Sequence, residues 1–152
     1  MGGRGGWIKA EAKRADAWFA LGTAYSRLGR TPAAIDAYRH TLRLDPQHAD
    51  AWFNLGLTYG RVGRHRDAIA ALRHTLKIDP ADVEAWSQLG QAYLATGNRE
   101  TARAVANELE RLDPERATGL RQQAGMSAPP AADPPQNATK PAAPVTGRPA
   151  SP

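Results

Sequence analysis

The sequence predicts an all-α protein built as an array of tandem helical repeats. Seven columns of identical residues recur at a spacing of 34, and within each unit the apolar residues follow the 3.6-residue period of a helix. The columns are Trp18, Trp52 and Trp86; Leu21, Leu55 and Leu89; Gly22, Gly56 and Gly90; Tyr25, Tyr59 and Tyr93; Gly29, Gly63 and Gly97; Ala34, Ala68 and Ala102; and Pro46, Pro80 and Pro114. Because one such unit cannot bury its apolar face alone, neighbouring units are expected to stack around a shared core.

The first repeat, residues 15–48, predicts two helices joined by a turn. Four recurring residues of its first helix share one face, at i, i+3, i+4 and i+7: Trp18, Leu21, Gly22 and Tyr25. Gly29 stands where a helix end favours a left-handed residue. The second helix is expected to end before Pro46, because the residue preceding a proline avoids the helical conformation.

The second repeat, residues 49–82, and the third, residues 83–116, predict the same helix pair. The first two units are identical at 20 of 34 positions, and the third diverges more. The glycine that follows each leucine lowers helix propensity by about 1 kcal/mol relative to alanine, so its recurrence predicts a close approach of the paired helix. The residues expected to form the repeated core are Trp18, Leu21, Gly22, Tyr25, Trp52, Leu55, Gly56, Tyr59, Trp86, Leu89, Gly90 and Tyr93.

The segments outside the repeats have different predicted roles. Residues 1–14 form an N-terminal flank that is consistent with the remnant of a preceding helix. Residues 117–126 are expected to form a short helix that caps the last repeat, since repeat arrays need polar terminal caps. Residues 127–152 hold eight of the 12 prolines and only three charges, a composition that predicts a disordered Pro/Ala-rich tail.

These repeats resemble the tetratricopeptide repeat (TPR) family, whose 34-residue unit favours Trp, Leu, Gly, Tyr, Ala, an aromatic residue, Ala and Pro at eight positions. The first repeat fits at seven of them: Trp18, Leu21, Gly22, Tyr25, Ala34, Tyr38 and Pro46. Thr41 replaces the remaining alanine, and the later repeats depart further. The resemblance covers 102 of 152 residues. It implies a right-handed α-solenoid that acts as a protein-protein interaction adaptor, without a cofactor or catalysis of its own.

The resemblance also implies a concave groove, lined by the first helices, that binds a peptide or partner segment. Its candidate residues in this chain are Asp16, Phe19, Thr23, Arg27, Asp50, Phe53, Asn54, Leu57, Arg61, Glu84, Gln88 and Gln91. Some family members clamp chaperone C-terminal carboxylates there with Lys, Asn and Arg. This chain has Phe19, Thr23, Asn54, Glu84 and Gln88 at the clamp positions. Only Asn54 matches, so a chaperone tail is not the expected partner, and a peptide with apolar anchors and some basic residues is favoured.

Phe19 and Phe53 allow two interpretations. Each follows a core tryptophan and points about 100° away from it around the helix. They are either exposed aromatic anchors in the groove, which would mark a binding site, or side chains that pack against the next repeat.

The charge of the chain first suggests an anionic partner, with a net charge of +5 and a pI near 10. Residues 15–116, however, contain 13 basic and 13 acidic residues, so the excess lies in the flanks. Nucleic acid is therefore not the preferred partner. An alternative function remains anion binding, to nucleic acid or lipid, by a basic stripe on the second helices: Arg39, Arg43, Arg73, Lys77, Arg103 and Arg111. A further alternative is a regulatory interaction module detached from a longer enzyme.

The residues that carry chemistry in other proteins do not assemble into a motif here. There is no cysteine, and His40 and His74 are separated by one repeat length because of duplication, not because of metal-ligand spacing. We therefore expect no enzyme activity, no metal and no cofactor. No apolar run is long enough for a membrane span or signal peptide, which predicts a cytoplasmic protein if Met1 is the true start.

Overall fold

The computed structural model describes residues 3–125, which form seven helices and no strand within that range. The helices are α1 (Gly3–Arg27), α2 (Thr31–Leu44), α3 (Ala49–Arg61), α4 (His65–Ile78), α5 (Val83–Ala95), α6 (Arg99–Leu112) and α7 (Pro114–Gln123). Three antiparallel pairs, α1 with α2, α3 with α4 and α5 with α6, stack in chain order, and α7 packs on the last pair. The expected all-α repeat solenoid is confirmed. The predicted tail, 127–152, lies outside the described residues.

Each helix pair is joined by the same short turn. Gly29, Gly63 and Gly97 have φ of 75°, 80° and 77°, a left-handed conformation that glycine adopts at little cost. In each turn, the residue after the glycine donates its backbone N–H to the carbonyl of the tyrosine five residues earlier. The donors are Arg30, Arg64 and Asn98, and the distance is 2.9 Å in all three turns. The repeated Tyr-x-x-x-Gly pattern therefore specifies one turn geometry three times.

The first helix begins before the first repeat. Residues 1–14 were expected to be an N-terminal flank consistent with the remnant of a preceding helix, and α1 runs without interruption from Gly3 to Arg27. The reason is visible in the repeat register. Ala12 stands where later units have Pro46, Pro80 and Pro114, and without a proline the helix does not have to end. The part of α1 before Ala15 projects as an arm whose described side chains are mostly exposed.

The recurring glycines sit where two helices meet, as predicted. A Cβ on Gly22 would lie 2.7 Å from the ring of Tyr38 in α2, and one on Gly56 would lie 2.9 Å from Cγ of Leu72 in α4. In the third repeat the neighbour is Leu120 of α7. The paired helix carries the small Ala106 at the equivalent position, which leaves room for a side chain from the next element.

The apolar core consists of two clusters, each of which spans a junction between repeats. One cluster joins α2, α3 and α4: Ala34, Ile35, Tyr38, Leu42, Ala51, Leu55, Tyr59, Ala68 and Ala71. The other joins α4, α5, α6 and α7: Leu72, Leu76, Ala85, Leu89, Val105, Ala106, Leu109, Ala117 and Leu120. Burial is therefore shared between successive units, so each unit depends on its neighbours.

Candidate functional site

The helices form two layers that are packed to different degrees. The first helices, α1, α3, α5 and α7, each contact the next one directly, whereas α2, α4 and α6 make no direct contact with one another among the described residues. A layer of helices in contact with one another is shorter along the array than a layer of helices that are spaced apart, and the array therefore curves toward the shorter layer. The first helices consequently line the inner, concave side, and the second helices form the outer side with gaps between them.

The inner layer contains two hollows that meet at α3. The hollow at the α1/α3 seam has a volume of about 190 Å³, and the one at the α3/α5 seam about 480 Å³. Leu57 and Arg61 line both. Of the candidate groove residues, the hollows bring together Thr23, Arg27, Asn54, Leu57, Arg61, Gln88 and Gln91. They leave out Asp16, Phe19, Asp50, Phe53 and Glu84.

Phe19 and Phe53 pack against the protein itself. The Phe19 ring lies 5.8 Å from that of Tyr38 and 4.8 Å from the imidazole of His48, the residue that precedes α3. Phe53 packs against the second apolar cluster. Both rings are therefore partly packed against the protein, and the ring contacts of Phe19 lie within its own repeat.

The acidic residues at the groove edge are partly neutralised. Asp16 accepts a hydrogen bond from Nε2 of His48 at 3.3 Å, while Nδ1 of the same ring accepts from the backbone N–H of Ala51 and caps α3. Glu84 forms an ion pair of 2.7 Å with Arg116 of α7. Two of the three acidic candidate residues of the groove, Asp16 and Glu84, therefore have a partner within the chain.

Helix α7 narrows the groove at its C-terminal end. Besides the Arg116 ion pair, the side-chain amide of Gln123 accepts a hydrogen bond from that of Gln91. Two of the candidate residues on α5, Glu84 and Gln91, are therefore engaged by the chain's own last helix. The stretch of the groove that α7 does not contact is the one formed by α1 and α3.

Most of the expected core residues are buried or partly buried, but Leu21 is not. It is 39% exposed, whereas Leu55 and Leu89 at the same repeat position are 3% and 4% exposed. Its assignment to the core was wrong. The later leucines are covered by the second helix of the preceding repeat, and no described helix precedes α1.

Two histidines have a packing role that sequence reasoning missed. His40 stacks on Trp18 with ring centroids 4.2 Å apart, and His74 stacks on Trp52 at 4.0 Å. Trp52 also donates its indole N–H to the carbonyl of Pro46 at 2.9 Å. The 22-residue spacing from Trp to His recurs in two repeats and was the available signal. In the third repeat this position is Glu108, so Trp86 has no such partner.

The described residues contain no grouping of three His, Asp or Glu side chains suited to holding a metal ion. None of the helices between residues 3 and 125 has the length and apolar character needed to cross a bilayer.

Stacked helix pairs around an inner groove define the class of helical-repeat interaction modules. Within that class, the family model for the Cilia and flagella-associated protein 70 middle TPR-like domain matches residues 8–113. That match spans more than half of the chain, so the chain belongs to this family of tetratricopeptide repeat domains. A search of the curated proteins finds no match.

Solved structures share the fold. The crystal structure of MamA is 33% identical, with a TM-score of 0.64, over 68% of this chain and 61% of that chain. The first TPR of Spaghetti (RPAP3) bound to the HSP90 peptide SRMEEVD has a TM-score of 0.70 at 22% identity, over 75% and 92% of the two chains. The second TPR domain of human RPAP3, in complex with the HSP70 peptide SGPTIEEVD, has a TM-score of 0.71 at 17% identity, over 77% of this chain and 99% of that chain. The last two show the fold alone, and this chain spans about three fifths of MamA.

Proposed function

We propose that the chain is a protein-interaction adaptor that binds an extended segment of another protein in its inner groove. The observation that carries the proposal is the pair of hollows at the α1/α3 and α3/α5 seams, which are joined through Leu57 and Arg61. They lie side by side along the inner layer, with Leu57 and Arg61 of α3 lining both. The TPR domains of RPAP3 bind peptides, which supports a peptide as the kind of ligand.

The side chains along the two hollows suit a peptide backbone with an apolar anchor. Asn54 and Gln88 each offer an amide donor and acceptor, the pair that an extended main chain needs. Leu57, half-buried between the hollows, provides an apolar contact. Arg61 donates to Ser26 Oγ at 2.6 Å, which holds its guanidinium across the α1/α3 seam.

A chaperone C-terminal carboxylate is not the segment we propose. Of the five clamp positions, only Asn54 matches the carboxylate-binding pattern. Glu84, at another clamp position, is negatively charged and would repel a carboxylate. Because Glu84 is paired with Arg116 at 2.7 Å, that position repels less than an unpaired acid would, but it still supplies no free cation.

The test uses peptides selected from a random phage-displayed library on the full chain, with affinities measured by calorimetry. Leu57→Gln keeps the helix propensity and removes the apolar contact, so we expect about tenfold weaker binding, which corresponds to 1.4 kcal/mol. Ala70→Glu, on the outer side of α4, is the matched control and should bind like wild type. Unchanged affinity for Leu57→Gln, with both variants folded, would refute the inner groove as the site.

A further inference from the structure

The outer face carries grooves that the inner-groove proposal does not use. Because α2 and α4 make no direct contact, a groove of about 550 Å³ opens between them, with α3 as its floor. We call this the first outer groove. Its counterpart between α4 and α6, the second outer groove, has a volume of about 760 Å³ and residues at the same repeat positions.

The floor of the first outer groove is apolar and aromatic. Leu42, Leu55 and Tyr59 form its buried base, and the indole of Trp52 lines it while stacked on His74. The Trp52 ring is positioned by this stack and by the hydrogen bond from its indole N–H to the carbonyl of Pro46. Apolar floor of this kind at a surface is typical of an anchor site for a partner side chain.

The rim of the same groove is cationic. Arg39 and Arg43 of α2 line one wall, and Arg64, at the start of the other, lies 4.5 Å from the centroid of the Tyr59 ring. Asp67 is the one acidic lining residue, and it pairs with Arg64 at 2.8 Å. With histidine neutral, the lining carries three positive charges and one negative charge.

The second outer groove has the same shape of lining but a different charge. It replaces Arg64 with Asn98, Asp67 with Thr101 and His74 with Glu108. Its charged lining residues are Arg73 and Glu108, which cancel. Duplication therefore preserved the apolar floor in both grooves. The first outer groove is the more cationic of the two, because Arg64 has no cationic counterpart in the second and Lys77, the counterpart of Arg43, does not line it.

We propose that the first outer groove binds an acidic protein segment with an apolar anchor residue. The anchor packs on Trp52, and carboxylates on either side of it pair with the arginine rim. Arg39 and Arg43 are four residues apart on α2, which is about 6 Å along a helix axis. Alternate residues of an extended peptide are about 6.6 Å apart, so acidic residues at i and i+2 match that spacing.

A protein segment fits this groove better than nucleic acid or a lipid surface. A recess with an apolar floor and a narrow cationic rim binds best a ligand that combines an apolar side chain, which enters the recess, with flanking negative charges. Phosphate binding by itself would use the exposed cations on the second helices and leave the floor empty.

The experiment uses the full chain and a synthetic nine-residue peptide with a central leucine and glutamates at alternate positions. The same peptide with lysine in place of glutamate is the charge control. A single-stranded oligodeoxynucleotide and anionic phosphatidylserine vesicles test the other two occupants. Binding is followed by NMR through the indole N–H signals of Trp52 and Trp86, so that the second outer groove is an internal reference.

We expect the acidic peptide to shift the Trp52 signal and not that of Trp86, and the lysine peptide to shift neither. Ala70→Glu, on the wall of the first outer groove, should weaken binding about tenfold, whereas Ala104→Glu at the same position of the second should leave it within about twofold. Equal effects of the two variants, a shift at Trp86 instead of Trp52, or tighter binding of the oligonucleotide or vesicles would overturn the proposal. Leu57→Gln should not change the affinity for the acidic peptide, and this result would distinguish the first outer groove from the inner groove.

Discussion

At the scale of the residue, the absence of a side chain determines how closely each helix pair packs. Gly22 and Gly56 face Tyr38 and Leu72 at distances that a methyl group would not tolerate without movement of the neighbour. Gly60, one turn further along α3, has nothing within 4 Å of its Cβ position. Both glycines of α3 lower helix propensity, but only Gly56 has a side chain packed against its Cβ position. Substitution by alanine at the two positions therefore separates the effect of packing from that of helix propensity.

We expect Gly56→Ala to destabilise the protein by about 1–3 kcal/mol, because the added methyl overpacks against the buried Leu72. Gly60→Ala should instead stabilise it by about 0.5 kcal/mol through the higher helix propensity of alanine. Chemical denaturation followed by circular dichroism measures both. Equal changes in the two variants would show that the close approach at Gly56 does not limit packing.

At the scale of the element, α7 closes the C-terminal end of the array. Its inner face buries Ala117, Leu120 and Arg121, while its outer face is polar. Arg121 is 4% exposed and donates to Glu110 at 2.6 Å and to the side chain of Asn107 at 3.1 Å. A cation so placed orients α7 on α6, because its hydrogen bonds have no replacement from solvent.

Arg121→Ala is expected to cost about 2–3 kcal/mol, since it removes charge-assisted hydrogen bonds and the packing of a buried side chain. The control is Arg111→Ala, whose side chain is 75% exposed and pairs with Glu108 one turn earlier. Surface pairs of this kind contribute about 0–1 kcal/mol. Thermal melts of the two variants should differ clearly, and similar melting temperatures would contradict the proposed role of Arg121.

At the scale of the whole molecule, the position of a repeat in the array decides what its residues do. Leu21, Leu55 and Leu89 are equivalent in sequence, yet the first is 39% exposed and the other two are buried. A repeat provides only half of each interface between repeats. Its first helix is therefore covered only where the second helix of a preceding repeat packs against it.

Leu55→Ala should therefore destabilise the protein by about 2–5 kcal/mol, the usual cost of truncating a buried leucine. Leu21→Ala should destabilise the protein less than Leu55→Ala does, with a difference of about 1 kcal/mol or more, because Leu21 is 39% exposed in the folded protein. Denaturation midpoints compared at equal protein concentration test the difference. A loss at Leu21 as large as that at Leu55 would mean that another molecule covers α1 in solution.

The helix pairs, the glycine turns and the close approach at Gly22 and Gly56 could all be predicted from the sequence, because each follows from residues within one repeat. The candidate groove was predicted less well. Phe19 packs on His48, the residue that precedes α3, and Glu84 pairs with Arg116 of α7. Both contacts join segments at least 29 residues apart, and the repeat pattern does not encode which side chains will meet over such a separation.

The sequence by itself determined that this protein is a solenoid of three helix pairs, because the 34-residue spacing, the helical period and the left-handed glycines are local and repeated. Only the tertiary structure decided which equivalent residues become surface or core, how α7 narrows the inner groove, and which cations line each outer groove. The physical reason is that burial and electrostatic pairing depend on the neighbour each repeat meets, and that neighbour differs at each end of a short array.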